Sequence, residues 1–220
     1  MQKRKIIIGD YDTAAHGWTL AGWKLSKAEQ KTNYYEKPSG DGSWDLSTAL
    51  TDGIMKYRDR ELTATLECSE GNRLEREAVI RQMINQLDGM RLEIRLPDDD
   101  FRYVVGRVSV IREYNDLAHA AVTVAAVCDP WKYSTAETVV ALAATTAKKT
   151  AVLVNNGRRA IVPTLKVTGG SVLLERGTAS MSLAAGTYKW PELLLTPGNH
   201  PLTYSGSGSV TISYREAVLE

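Results

Sequence analysis

Polar and apolar residues alternate with a period of two from residue 60 to residue 68. Leu62, Ala64, Leu66 and Cys68 fall on one side, and Glu61, Thr63, Thr65 and Glu67 on the other. That spacing predicts a strand with one buried and one wet face. Trp18 and Leu20 alternate against Thr19 in the same way across the β-prone stretch 18–25. After Asn72 the period changes. Val79, Ile80, Met83, Ile84 and Leu87 form one apolar stripe at helical spacing, which reads as core packing. Asn72 is placed to cap that helix, with Glu75 three residues on as a variant of the capping box, and Asp88-Gly89 supplies the stop. Strand patterning returns at 91–96, and Pro97-Asp98-Asp99-Asp100 turns the chain. Two more strands are expected at 103–111 and 118–125, joined as a hairpin by a loop of moderate length, Glu113-Tyr114-Asn115-Asp116-Leu117.

The stretch Ala125-Ala126-Val127-Cys128-Asp129-Pro130-Trp131-Lys132-Tyr133 closes this pattern with a proline, which cannot donate to a sheet ladder. Beyond it only one further tryptophan appears and no convincing helix. The change of texture marks a seam between two domains, 1–133 and 134–220, with Trp131 expected to be buried at the base of the first. The alanine-rich passage 137–146 is open between strand and linker. From Lys149 onward turn signals recur about every 8 to 12 residues, as a sandwich requires. They are Asn155-Asn156-Gly157, Gly169-Gly170, Arg176-Gly177, Ala185-Gly186, Pro197-Gly198-Asn199 and Ser205-Gly206-Ser207-Gly208. Short apolar runs lie between them: Val152-Leu153-Val154, Val172-Leu173-Leu174, Leu193-Leu194-Leu195 and 210–214. The fold class this predicts is mainly β with one α-helix.

Composition narrows the function classes. The 220 residues carry 27 Lys and Arg against 26 Asp and Glu, a net charge of +1. A chain so balanced has no electrostatic footprint for nucleic acid or an anionic membrane. No apolar stretch approaches the roughly 20 residues of a membrane-spanning helix. The basic start, Met1-Gln2-Lys3-Arg4-Lys5, leads into only three apolar residues, where a secretory signal needs roughly seven or more. The chain is therefore expected to be made in a cytoplasm and not exported by a signal of its own. Cys68 and Cys128 are the only cysteines, and two free thiols in a reducing compartment are expected in preference to a bridge.

No constellation for catalysis stands out. His16, His119 and His200 are far apart in sequence, and no His-x-x-His or Cys-x-x-Cys pair occurs. Asp98-Asp99-Asp100 could ligate calcium, but reads better as a solvated hairpin tip. Neither a Gly-x-Ser-x-Gly elbow nor a Gly-x-x-x-x-Gly-Lys loop is present, and Gly206-Ser207-Gly208 is a turn. No catalytic, cofactor-binding or metal-binding residue is assigned, and no cofactor is expected.

Taken in order, one set of landmarks resembles the distal tail protein family (Dit) of long-tailed bacteriophages and prophages. It comprises Trp18 with Leu20, Pro38-Ser39-Gly40-Asp41-Gly42 before Asp45-Leu46-Ser47, and Tyr57-Arg58-Asp59-Arg60-Glu61-Leu62. It continues with Asn85-Gln86-Leu87-Asp88-Gly89, Asp100 to Gly106-Arg107-Val108, and Cys128-Asp129-Pro130-Trp131-Lys132-Tyr133. The later half resembles the family's C-terminal sandwich through Asn155-Asn156-Gly157, Val162-Pro163-Thr164, Pro197-Gly198-Asn199 and Tyr214-Arg215-Glu216. The resemblance implies a sandwich- or barrel-like ring-forming domain with one helix over 1–133, and a galectin-like sandwich over 134–220. It further implies a hexameric ring at the virion tail tip, between the tail tube protein and the baseplate or fibre hub, assembled in the bacterial host cytoplasm. Residues of the ring interface are not assigned. A carbohydrate-binding module is the second reading, with Trp190 and Tyr188 as rings that could stack on sugars in a weak glycan contact. A cell-wall-degrading enzyme is the third, and no motif supports it.

Overall fold

Two stretches of the chain fold around separate apolar cores. The structure, a computed structural model, describes residues 4–51, 53–97 and 99–220. Residues 1–3, Asp52 and Asp98 lie outside the described residues, and with them the start of the basic N-terminal run and the first carboxylate of the 98–100 turn. The chain divides between Lys132 and Tyr133 into two compact units. Both are built mainly of antiparallel strands, and the described residues hold one α-helix.

The first unit contains β1 (Ile7–Ile8), β2 (Tyr11–Asp12), β3 (Thr19–Leu25), β4 (Tyr34–Glu36), β5 (Ser43–Asp45) and β6 (Arg60–Cys68). The helix α1 (Arg73–Leu87), β7 (Arg91–Arg95), β8 (Arg102–Asn115) and β9 (Ala120–Cys128) follow. Seven of these strands form one sheet in the order β2-β1-β7-β8-β9-β6-β3. Register sorts its faces. Leu62 lies opposite Ala126, Ala64 opposite Val124 and Leu66 opposite Val122. On the far side of β9, Val108 faces Ala126 and Val110 faces Val124. Ile94 joins Val104 on one side and Ile8 on the other. Every one of these pairs lies on the same face, because side chains alternate with a period of two.

That apolar face is covered by α1. Ile80, Met83 and Leu87 are buried against it, and Val79 and Ile84 pack on its margin. The capping box forms as the sequence predicts. Asn72 Oδ1 accepts from the Leu74 and Glu75 amides, and Glu75 Oε2 accepts from the Asn72 amide. Such a cap is worth about 1 kcal/mol. At the other end Asp88 Oδ1 accepts from the Val110 amide, which ties the helix terminus to β8.

Arg76 is also buried on this stripe, only 2 % exposed. Its guanidinium donates to the carbonyls of Gly71, Asp116 and Leu117 at 2.6, 2.8 and 3.2 Å. It therefore locks the turn between β8 and β9 to the start of the helix. That turn is tighter than the sequence suggests. Both strands extend to meet a four-residue turn, 116–119, in which the Asp116 carboxylate accepts from the amides of Ala118 and His119. A bulge between Arg112 and Tyr114 lets β8 continue in register past Glu113.

Trp131 corrects the expectation placed on it. It is half-buried, packed edge-on against Tyr57 with ring centroids 5.4 Å apart. The β6–β9 ladder ends at Cys128, and Pro130 has no amide proton with which to extend it.

The second unit opens at Tyr133 in β10 (Lys132–Ser134), and the Ser134 amide donates to the Glu216 carbonyl at 2.9 Å. Its strands are β11 (Thr138–Ala143), β12 (Lys149–Asn155), β13 (Thr164–Thr168), β14 (Val172–Arg176) and β15 (Ala179–Leu183). They continue with β16 (Gly186–Lys189), β17 (Gly198–Gly206), β18 (Ser209–Tyr214) and β19 (Ala217–Val218). Two four-stranded sheets, β11-β18-β13-β16 and β12-β17-β14-β15, share one core. Leu165, Val167, Val210 and Ile212 come from the first sheet, and Leu153, Val172, Leu174 and Leu202 from the second. This is a β-sandwich. The passage 137–146 resolves as strand β11 at its centre.

Leu193-Leu194-Leu195 is not a strand, although it resembles one in sequence. Leu193 and Leu195 are buried, and only Leu195 makes a bridge, to Ile161. The carbonyls of Glu192 and Leu194 accept from Arg176 Nη1, both at 2.9 Å, instead of from a neighbouring strand. Arg176 also donates to His200 Nδ1 at 3.0 Å. A guanidinium can only donate, so His200 carries its proton on Nε2, which donates to the Thr196 carbonyl at 2.6 Å.

Candidate assembly surfaces

Strands β4 and β5 pair with each other and form a two-stranded sheet of their own. The turn between them uses Gly42 at a φ of 76°, a conformation open to glycine and strained for other residues. The base of this arm is closed by a small network. Asn33 donates its amide to Ser47 Oγ at 2.8 Å, and Leu46 donates to the Asn33 carbonyl. Asp45 accepts from the Ser47 amide at 2.9 Å, and hydrogen bonding from Ser47 holds its carboxyl below the usual aspartate value. Tyr35 lies directly opposite Trp44, with the rings stacked at 6.0 Å.

All residues from 31 to 46 are exposed. Tyr34 is 62 % exposed, Tyr35 59 % and Trp44 49 %. A lone hairpin is marginal in water, and large exposed aromatics on it mark a surface that binds something.

A second surface is the face of the large sheet opposite α1. Ser109 lies opposite Ala125, and Ala125 opposite Thr63. These small side chains floor a shallow depression of about 240 Å³, rimmed by Arg107, Val127 and Glu61. Val127 is 55 % exposed and Ile111, further along β8, 48 %. At one edge of the sheet β3 pairs with β6, carries a bulge between Leu20 and Gly22, and donates from the Leu20 amide to the Arg4 carbonyl at 3.0 Å. An aromatic arm, an uncovered sheet face and a bulged sheet edge all belong to the first unit.

The groups that could carry chemistry are occupied structurally. Among the described residues no cluster of three or more His, Cys, Asp or Glu could hold a metal ion. Asp99 sits against Lys132 at 3.7 Å and Arg102 at 3.8 Å, an ion-pair role and not a calcium ligand set. His16 Nδ1 bonds the Asp12 carbonyl, His119 lies at the 116–119 turn, and His200 is held by Arg176. Cys68 and Cys128 are buried free thiols, and burial pushes the Cys128 thiol up to about 12. In β6, Cys68 faces Ala120 while Arg60 faces Cys128, so the sulfurs lie at opposite ends of the strand pair.

Trp190 is buried in the core of the second unit and Tyr188 is half-buried beside it, so Trp190 offers no face to a sugar. Three exposed rings, Tyr34, Tyr35 and Trp44, stand on the arm instead, and Phe101 and Tyr114 are exposed elsewhere in the first unit. Sequence reading placed the turn at 38–42 but did not single out Tyr34, Tyr35 or Trp44. The available signal was two adjacent tyrosines, which a single strand cannot bury on one face.

No family model matches the chain, and no curated protein does. Among solved structures it is similar to the SPP1 Dit (gp 19.1) protein, described as a paradigm of the hub adsorption apparatus in phages that infect Gram-positive hosts. The two share 15% sequence identity with a TM-score of 0.67, over 96% of this chain and 98% of that one. Likeness over both units at this identity establishes a shared fold.

Proposed function

We propose that this chain is a structural component of a phage tail tip, whose first unit closes a hexameric ring and whose second unit faces the adsorption apparatus. The observation that carries the reading is the fold shared with the SPP1 hub protein over 96% of the chain. The surfaces support it. A closed ring needs one patch on each protomer to meet a different patch on the next. The aromatic arm and the uncovered sheet face are two unlike surfaces of this kind. In the ring the arm of one protomer lies over the sheet of its neighbour, with Tyr35 and Trp44 against the floor of Ser109, Ala125 and Thr63. The tail tube protein meets one side of the ring, and hub or fibre proteins meet the other.

The experiment is a double substitution, Tyr35→Ser with Trp44→Ser, read by solution mass and by circular dichroism. Both side chains lie outside the two cores, so the fold is expected to stay intact while the hexamer falls apart to protomers. A hexamer unchanged by the double variant contradicts the role given to the arm.

A further inference from the structure

Where β1, β2 and the end of α1 come together, the first unit has a cleft of about 390 Å³ that no part of the assembly reading uses. Its floor is apolar, made by Ile8, Leu87 and Leu92. Its polar groups are Asp10, Gln86 and His16. Each of them has an acceptor atom. The Asp10 carboxylate accepts only, and Lys5 on the same hairpin is already committed to Asp12 at 2.6 Å. The Gln86 side chain contributes an amide oxygen. His16 Nδ1 lies 2.9 Å from the Asp12 carbonyl, and since a carbonyl cannot donate, that nitrogen carries the proton. Of the two ring nitrogens, Nε2 is the one left to act as an acceptor.

The helix adds to the same sign. Gln86 and Leu87 close a 15-residue helix, whose C-terminal end carries a partial negative charge. No basic residue stands in its last turn to offset it. Tyr11 and His16 stack at 4.0 Å and 11°, and since Tyr11 is buried, the half-buried His16 ring is the aromatic surface at the cleft.

We propose that this cleft is a socket for an arginine side chain of a protein partner, with the guanidinium held between Asp10, Gln86 and His16 and the aliphatic stem on Ile8, Leu87 and Leu92. Arginine fits better than lysine for two reasons. Its five donors match a set made of acceptors, and its plane stacks on aromatic faces. Its three-methylene stem suits a floor of leucine and isoleucine.

The test uses the full chain, methyl-labelled at Ile and Leu, titrated with n-butylguanidinium, n-butylammonium and the neutral n-butylurea. Saturable shifts of the Ile8, Leu87 and Leu92 methyl signals are expected with the guanidinium, weaker ones with the ammonium and none with the urea. Asp10→Asn is expected to weaken guanidinium binding by about threefold to fivefold, the range of a partly exposed ion pair. Absence of shifts, equal response to the urea, or an affinity untouched by Asp10→Asn would each overturn the proposal. The surfaces assigned to the ring lie elsewhere on the unit, so loss of the hexamer leaves this result independent.

Discussion

Arg76 shows how one side chain decides the local architecture. Residues 76, 80, 83 and 87 recur at spacings of four, three and four, so Arg76 stands on the apolar stripe of its own helix. A guanidinium there is tolerable only because three backbone carbonyls receive its protons. Arg76→Leu removes three charge-assisted bonds to carbonyls of exposed residues, where water replaces part of what is lost. The expected outcome is a loss of roughly 2–4 kcal/mol in urea denaturation, with faster amide exchange at 115–119. An unchanged midpoint contradicts that account. The position was legible in principle from its spacing alone, but pattern reading that counts only apolar residues passes over it.

Cys128 gives a second residue-scale expectation. Its sulfur is packed against Gly106, where an added Cβ would come within 2.6 Å of it. Burial raises its pKa to about 12, so almost none is thiolate at neutral pH. A thiol reagent is expected to leave Cys128 unmodified in the native protein and to titrate two thiols after denaturation without reductant. One thiol or none under denaturing conditions would mean a bridge that the strand register forbids.

At the scale of elements, the joints are held by carboxylates. Asp12 is lowered chiefly by its bond from Lys5, Glu77 chiefly by Arg112 on β8, and Asp116 chiefly by the His119 amide. Their ordinary values are 3.8, 4.5 and 3.8, and all three are depressed in the fold. A depressed carboxylate stabilises above its unfolded value, and that contribution disappears as pH falls through the folded one. Through these groups the melting temperature is expected to hold from neutral pH to about pH 5 and to fall below about pH 4.5. A melting temperature that rises on acidification through that window contradicts the assignment.

Elements were legible where one periodicity ran against one boundary signal. The strand at 60–68 and the capped helix after Asn72 combine both, and both appear in the structure with their faces as read. Three local features were not legible, each because a distant partner decides it. Leu193-Leu194-Leu195 has a strand's composition, but Arg176 takes its carbonyls. The 116–119 turn is set by Asp116 and by Arg76 from the helix. Trp131 is half-buried, and its ring partner is Tyr57, far away in sequence.

For the whole molecule, the order of the sequence landmarks and the fold shared with the SPP1 Dit protein agree. The fold class was readable from turn spacing and a single helical stripe. The candidate assembly surfaces were not, because the sequence shows that one face of β6 is wet and not which small and apolar positions its register gathers there. The small residues Ser109, Ala125 and Thr63 look like ordinary solvent-facing positions until their register sets them side by side on one face.

The ring is the central claim, and the mass of the purified protein tests it most directly. Light scattering after size exclusion, repeated over a dilution series, reads it without a partner. Six chains of 24.2 kDa make about 145 kDa, and a closed ring is expected to hold that mass on dilution. A single species at 24.2 kDa across the whole series would contradict it.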